Sequence, residues 1–207
     1  VKGHHIRVAT PVDPATSRLG ESLYQFLPRS IIGSWKSAWR LESKRLARRN
    51  LAMYSIHNAF YWIILTPIAI AGFCYAVAGW MGVIFFILQS IIAFSSLEII
   101  NYIEHYGLLR QTLENGRFER CQPHHSWNNN FKASNLLTLH LQRHSDHHAH
   151  PTRPYQLLRD YQDAPELPHG YPAMMGMALI PSAWRMIMDH RVVEWAGGDM
   201  EKVNIDP

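Results

Sequence analysis

Between Asn50 and Leu97 the chain carries no Asp, Glu, Lys or Arg. A helix crosses the hydrocarbon core of a bilayer in about 20 residues, so this run exceeds one span and suits two joined by a tight turn. Ala78-Gly79-Trp80-Met81-Gly82 supplies the turn, with Trp80 at the depth where interfacial aromatics gather. The pattern predicts a first span over residues 51–78, kinked at Pro67, and a second that starts at Gly82 and continues past Leu97. A buried soluble helix pair fits less well, because neither helix would present the polar face that a chain of 207 residues must show to water. The expected fold is an all-α membrane protein: a transmembrane helical hairpin attached to a cytoplasmic, helical, His-rich region.

The flanks orient that hairpin. Lys36, Arg40, Lys44, Arg45, Arg48 and Arg49, opposed only by Glu42, immediately precede the first span, which places that flank in the cytoplasm by the positive-inside rule. A hairpin returns the chain to the same side. Residues 1–49 then form a cytoplasmic loop and an interfacial helix interrupted by Pro28 and Gly33, residues 50–107 the two spans, and residues 108–207 a cytoplasmic His-box region. The net charge of +4 and pI near 9.2 do not indicate nucleic acid, because the basic residues gather beside the membrane segment and form no aromatic-studded stripe. Only Cys74 and Cys121 are present, so neither a disulfide framework nor a thiolate metal site can be built.

Any metal must therefore be held by imidazoles. If Ser134 caps a helix that ends before Pro151, then His144, His147 and His148 stand at i, i+3 and i+4 and leave one face of it. His140 falls on the same arc and stays open as a candidate, whereas His150 points away. Asp146 lies on the far side, either in a salt bridge or cap, or as an acceptor behind another element's imidazole N–H. His105 ends the second span, and at helical spacing the face below it carries Asn101, Glu98 and Phe94. An ionisable group at that depth is a functional candidate, so His105 is read as a ligand with Asn101 or Glu98 as hydrogen-bonding partners behind it. His124 and His125 are adjacent in a loop and share no fixed face.

Elsewhere the reading is structural. Asn115-Gly116 signals a hairpin turn. Residues 174–196 are too often interrupted by charge to span a membrane; Pro181 starts and Gly197-Gly198 stops a short packed helix there, with core methionines. The chain opens Val-Lys-Gly-His-His without an initiator methionine, and an upstream part is expected.

Three stretches together resemble one family, the membrane-bound alkane 1-monooxygenases, or alkane hydroxylases. Gly3-His4-His5 is similar to the end of a Glu-His-x-x-x-His-His box, Asn101-Tyr-Ile-Glu-His-Tyr-Gly107 to a Glu-His-Tyr-Gly element, and Leu141-Gln-Arg-His-Ser-Asp-His-His-Ala149 to a last histidine box. The resemblance extends over nearly the whole chain, Arg7-Val-Ala-Thr-Pro11 included. It implies a fragment of a six-span helical bundle in the bacterial inner membrane, multi-pass, with its active site facing the cytoplasm. It further implies two non-haem iron ions held by His4, His5, His105, His144, His147 and His148, with O2 as co-substrate. His140, His124 and His125 match no ligand position of the family.

The implied reaction is hydroxylation of the terminal carbon of a medium-chain alkane, with electrons from rubredoxin and its reductase. An alkane has no polar handle and dissolves in the bilayer, so Phe94, Leu97 and Asn101 are expected to line its approach to the metals. The family's first box and the opening of its second lie upstream of Val1, so the isolated fragment is expected to be inactive. The competing readings are a fatty-acid desaturase or hydroxylase of the same superfamily, and a non-catalytic membrane metal-binding protein.

Overall fold

The computed structural model describes residues 2–205, without the side chain of Lys2. Its elements are helices: α1 (Lys2–Arg7), α2 (Leu23–Ala47), α3 (Ala59–His105), α4 (Lys132–Leu137), α5 (His144–Ala149), α6 (Tyr171–Ala178) and α7 (Pro181–Trp195). Among the described residues extended pairing is limited to isolated bridges, such as Leu108 with Val203, so the all-α expectation holds. The chain divides into two compact units, residues 34–97, and residues 1–33 together with 98–207.

In the unit 34–97, the start of α3 is built from polar caps. Asn58 Oδ1 accepts the Phe60 N–H at 3.0 Å while its amide donates to the Met53 carbonyl at 2.7 Å. Glu42 Oε1 accepts the Ala59 N–H at 2.7 Å, and Arg45 grips both carboxylate oxygens at 2.6 and 2.7 Å. The Arg45 hydrogen bonds, aided by the Ala59 N–H, hold the Glu42 carboxyl down at about 2, and an anion suits the positive end of a helix. Trp35 and Trp39 pack edge-on against Phe60, with ring centroids 5.1 and 4.9 Å away.

Beyond that cap α3 is uncharged as far as Leu97, and its most apolar window has a mean hydropathy of 2.2. Phe73, Val77 and Phe85 stand exposed on it. Among the described residues α3 is the one helix long and apolar enough to cross a membrane. It leaves helical geometry at Ala78 (φ −135°, ψ 16°) and Gly79 (φ 58°, ψ −148°), not at Pro67. Gly79 takes a left-handed φ that a side chain would disfavour. Gly82 then meets the Cys74 carbonyl so closely that a Cβ has no room. Eight residues of unbroken helix would hold the two about 12 Å apart, so the helix is sharply kinked here.

In the unit 1–33 with 98–207, the core forms around the last turns of α3. Tyr102, Tyr106 and Trp184 make a triangle of rings with centroids 5.1 to 5.4 Å apart, and Phe26, Tyr171, Met174 and Met188 pack around it. The buried hydroxyls are satisfied: Tyr102 donates to the Glu21 carbonyl at 2.7 Å and Tyr106 to Asp189 at 2.7 Å. So are the last carbonyls of the helix. Ser17 donates to Tyr102 O at 2.7 Å, the Trp127 N–H to Glu104 O at 2.8 Å, and the Trp127 indole N–H to Tyr106 O at 2.9 Å. Gly107 ends the helix at φ 71°, and a Cβ there would lie 2.5 Å from Val192 of α7.

Three sequence expectations change. α2 runs unbroken through Pro28 and Gly33; Gly33 is a glycine because Pro14 occupies the space of its Cβ. Ser134 lies inside α4, whose N-cap is Phe131. The helix drawn from Ser134 to His150 is two helices, separated where Leu139 (φ 52°) and His140 (φ 61°) enter the left-handed region. Tertiary pairing overrides helical propensity at that point: the turn brings the Gln142 carbonyl to the Asn129 N–H at 3.0 Å. By contrast, Asn115-Gly116 does form a hairpin turn, with Gly116 at φ 72° and Thr112 bridged to Phe118, and Met174 and Met188 are core residues.

Gly107→Ala is expected to destabilise the protein by more than the roughly 1–2 kcal/mol that a left-handed alanine costs, because of the Val192 contact. Thermal unfolding of Gly107→Ala and of Gly107→Ala/Val192→Ala checks this, the second substitution recovering part of the loss.

Candidate metal centre

Three short pieces of backbone bring six imidazoles together: α1 carries His4 and His5, the end of α3 carries His105, and α5 carries His144, His147 and His148. His105 lies 5.1 Å from His4, 5.1 Å from His144 and 5.0 Å from His148, ring centre to ring centre. His5 lies 4.9 Å from His147 and 4.8 Å from His148. One ligand atom from each of His4, His105, His144 and His148 falls within 4.8 Å of the other three. His144 Nε2 and His148 Nε2 are 2.8 Å apart. Two nitrogens bound to one ion at about 2.1 Å each stand roughly 3 Å apart, so this spacing suits a shared cation.

Neither α1 nor α5 is long enough to be stable alone. α1 is held by Arg110, whose guanidinium donates to the carbonyls of Ile6 at 2.9 Å, Val8 at 3.3 Å and Glu119 at 2.8 Å. α5 has no cap from its own Arg143; Asn128 Oδ1 accepts the Ser145 N–H at 2.9 Å and Ser145 donates to Ser126 O at 3.1 Å. Asp146, on the far face of α5, gives its carboxylate to His150 Nδ1 at 2.9 Å, the Arg159 N–H at 2.8 Å, Tyr161 at 3.1 Å and Arg153. Burial raises its pKa, but these donors outweigh that and hold it below the usual aspartate value. Of the two roles open to Asp146, the contacts are those of the salt bridge.

The imidazoles are also oriented from behind. His4 Nδ1 faces Asp13 Oδ2 at 2.8 Å, and that oxygen accepts from Thr16 at 2.8 Å. With Nδ1–H directed at the carboxylate, Nε2 of His4 keeps its lone pair for the cluster. Ser126 Oγ stands 3.5 Å from His105 Nδ1. Glu104 is fully buried; Tyr171 donates to its Oε1 at 2.6 Å, while Oε2 lies 2.9 Å from His144 Nε2 without hydrogen-bond geometry.

Burial and mutual repulsion hold His5, His144, His147 and His148 toward the neutral form. Desolvation, then the neighbouring His147 and His4, push His5 down to about 4. His144 and His148 are lowered well below the usual histidine value, first by burial and then by a neighbouring ring, His147 for His144 and His144 for His148. His147 is lowered by burial, against the attraction of Glu104. The buried atoms with no hydrogen-bond partner include His4 Nε2, His5 Nδ1, His105 Nε2, His144 Nδ1, His148 Nδ1 and Glu104 Oε2. Orphaned buried polar atoms are costly and rare, and neutral imidazole nitrogens gathered in this way fit transition-metal ions such as iron.

Other residues singled out in the sequence lie elsewhere. His140 sits in the turn before α5, outside the grouped ligand atoms, and His124 and His125 group with Glu119 instead. Glu98 accepts from Ser30 at 2.5 Å, and Asn101 is half-buried. Phe94 and Leu97 are exposed on α3 in the unit 34–97. Sequence reasoning missed Glu104, Asp13 and Tyr171. Glu104 adjoins His105, and a carboxylate beside a histidine at the end of an apolar helix is a usable signal; Asp13 sits in a Pro-rich loop and had none.

The features define a class: a helical protein with a buried imidazole cluster at the end of a helix of membrane-spanning length and composition. The fatty acid desaturase family model matches residues 2–177, and the chain belongs to that family. It is 53% identical to an alkane 1-monooxygenase of Ectopseudomonas oleovorans, over 99% of this chain and 51% of the relative. It is 52% identical to alkane 1-monooxygenase 1 of Alcanivorax borkumensis, over 100% of this chain and 51% of the relative. The xylene/toluene monooxygenase hydroxylase component of Pseudomonas putida is 28% identical over 94% of this chain and 52% of that protein. The chain thus spans about half the length of the curated relatives it matches.

Asp13→Asn is expected to weaken metal retention about 10–100-fold, the usual effect of removing a carboxylate behind a ligating imidazole. Metal content after dialysis against graded chelator measures it.

Proposed function

We propose that this chain is part of a non-haem diiron monooxygenase of a bacterial inner membrane that hydroxylates the terminal carbon of medium-chain n-alkanes. The observation that carries the reading is the convergence of six imidazoles from α1, the end of α3 and α5. The similarity to alkane 1-monooxygenases supports the substrate class.

His4, His5, His105, His144, His147 and His148 would hold the metal. Two iron ions there would supply activation of O2 for attack on an unactivated C–H bond, with electrons delivered by rubredoxin and its reductase. The chain's own residues do the rest. Asp13 fixes the tautomer of His4; Tyr171 holds one oxygen of Glu104 and leaves the other facing His144; the packed Tyr102, Tyr106 and Trp184 keep bulk water from the end of α3. In this reading residues 1–49 and 108–207 lie on the cytoplasmic side and residues 50–107 form two spans of a six-span bundle.

The test is the full-length protein in membranes with a rubredoxin and its reductase, given octane. Formation of 1-octanol with about two irons per chain, both lost in His147→Ala, supports the reading; an alkene product moves it to a desaturase, and metal without product to a metal-handling protein. Phe94 and Leu97 share the helical face that leads to His105 at its end, and the proposal gives them the alkane. Leu97→Trp is expected to shorten, and Phe94→Ala to lengthen, the preferred alkane, read from competition among chain lengths.

A further inference from the structure

The unit 34–97 is one-sided in charge. It holds six basic side chains, Lys36, Arg40, Lys44, Arg45, Arg48 and Arg49, against one carboxylate, Glu42. That carboxylate is already taken, by Arg45 and by the Ala59 N–H. Lys36 and Arg40 are exposed on α2, and no acid in the unit is left to pair with them. They stand at i and i+4, in a row next to the row of Trp35 and Trp39, and the four side chains line a cleft of about 430 Å³. The indoles are anchored. Both lean edge-on against Phe60 in the first turn of α3, at 5.1 and 4.9 Å, and still stand 51% and 44% exposed. Two cations without a counter-ion and two fixed, half-exposed indoles thus meet where an uncharged helix of membrane-spanning length begins.

We propose that the cleft of Trp35, Lys36, Trp39 and Arg40 binds the headgroup of one anionic phospholipid. The phosphate is the counter-ion that Lys36 and Arg40 lack, and a basic pocket beside a membrane span is where such headgroups are held. The tryptophans select a lipid over a soluble phosphate. An indole offers an apolar body and one N–H donor, which suits the depth where ester oxygens meet hydrocarbon. The acyl chains then follow α3, which carries no charge from Ala59 to Leu97. Because Trp35 and Trp39 of α2 rest on Phe60 of α3, a lipid seated between the rows braces the junction of the two helices. The inference rests on the reading that α3 crosses a bilayer and is independent of the iron chemistry.

The test uses the full-length protein in a neutral detergent, titrated with phosphatidylglycerol. Native mass spectrometry counts the lipids kept by wild type, Lys36→Gln/Arg40→Gln and Arg48→Gln/Arg49→Gln. The last variant removes the same charge from outside the cleft, and all four side chains are exposed, so the fold tolerates both changes. Wild type is expected to keep one phosphatidylglycerol in preference to phosphatidylcholine. Affinity is expected to fall about 30-fold in Lys36→Gln/Arg40→Gln, at roughly fivefold per cation, and to change little in Arg48→Gln/Arg49→Gln. An equal loss in both variants would mean diffuse attraction and would overturn the site. Equal retention of phosphatidylcholine, or displacement of the lipid by glycerol 3-phosphate at the same concentration, would overturn it too. Flotation with phosphatidylcholine vesicles separates the two readings: protein that floats but keeps no phosphatidylglycerol overturns the site alone, whereas protein that floats with no vesicle overturns the membrane reading beneath it.

Discussion

The site in the unit 1–33 with 98–207 answers to one constraint: six imidazoles packed side by side cannot all carry charge. Protonated rings 5 Å apart in a buried site would repel by several kcal/mol per pair, and the rings meet at that distance here. Burial disfavours the protonated forms of His5, His144, His147 and His148, and the packing leaves buried ring nitrogens of His4, His5, His105, His144 and His148 without a hydrogen-bond partner. A polyvalent cation among the rings is a partner for the nitrogens that face it, which is why an energetically awkward arrangement can be the stable one in the loaded protein.

The price of that arrangement is visible in how the ligand-bearing helices are held. α1 and α5 each have six residues, too few to persist alone, and the N-cap of α5, Arg143, makes no side-chain cap hydrogen bond. Their stability is borrowed from charged and amide side chains that reach across the chain: Arg110 to the carbonyls of Ile6 and Val8, Asn128 to the Ser145 N–H, Asp146 to Arg153, Arg159 and Tyr161. Asp146 is therefore an anchor for the segment after α5. Removing its charge would leave Arg153 and a backbone N–H without an acceptor, an outcome that usually costs more than the pair contributes.

How much of this was legible follows from which signals are local. Charge exclusion from 50 to 97 is a property of composition, and it marked the apolar helix, while the Ala78–Gly82 stretch marked where its geometry breaks. The spacing of His144, His147 and His148 is a property of one helical turn, so it survived even though the helix around it was drawn too long. That helix breaks at Leu139 and His140 because of a pairing between Asn129 and Gln142, which no local pattern encodes. The meeting of His4 and His5 with the other rings is likewise non-local; only resemblance to a family joined them. Helical spacing puts Glu98 and Asn101 on the face of His105 as expected outer partners, whereas the buried carboxylate beside His144 is Glu104, the immediate neighbour of His105 in sequence.

Under the proposed function, the same physics limits what the site can select. A ligand with no donor or acceptor leaves the enzyme only shape and buried area to read, and each buried methylene is worth about 0.8 kcal/mol, roughly a fourfold factor in binding. A hydrophobic pocket discriminates weakly between homologues that differ by one such step. Sharp preference for one chain length would require a wall, a side chain placed where one more methylene must clash, because steric exclusion is steeper than the loss of contact area. Bulky residues along the face of α3, where Phe94 and Leu97 stand, are the kind of group that can build such a wall, while the imidazole cluster, being common to every substrate, sets the chemistry and not the length.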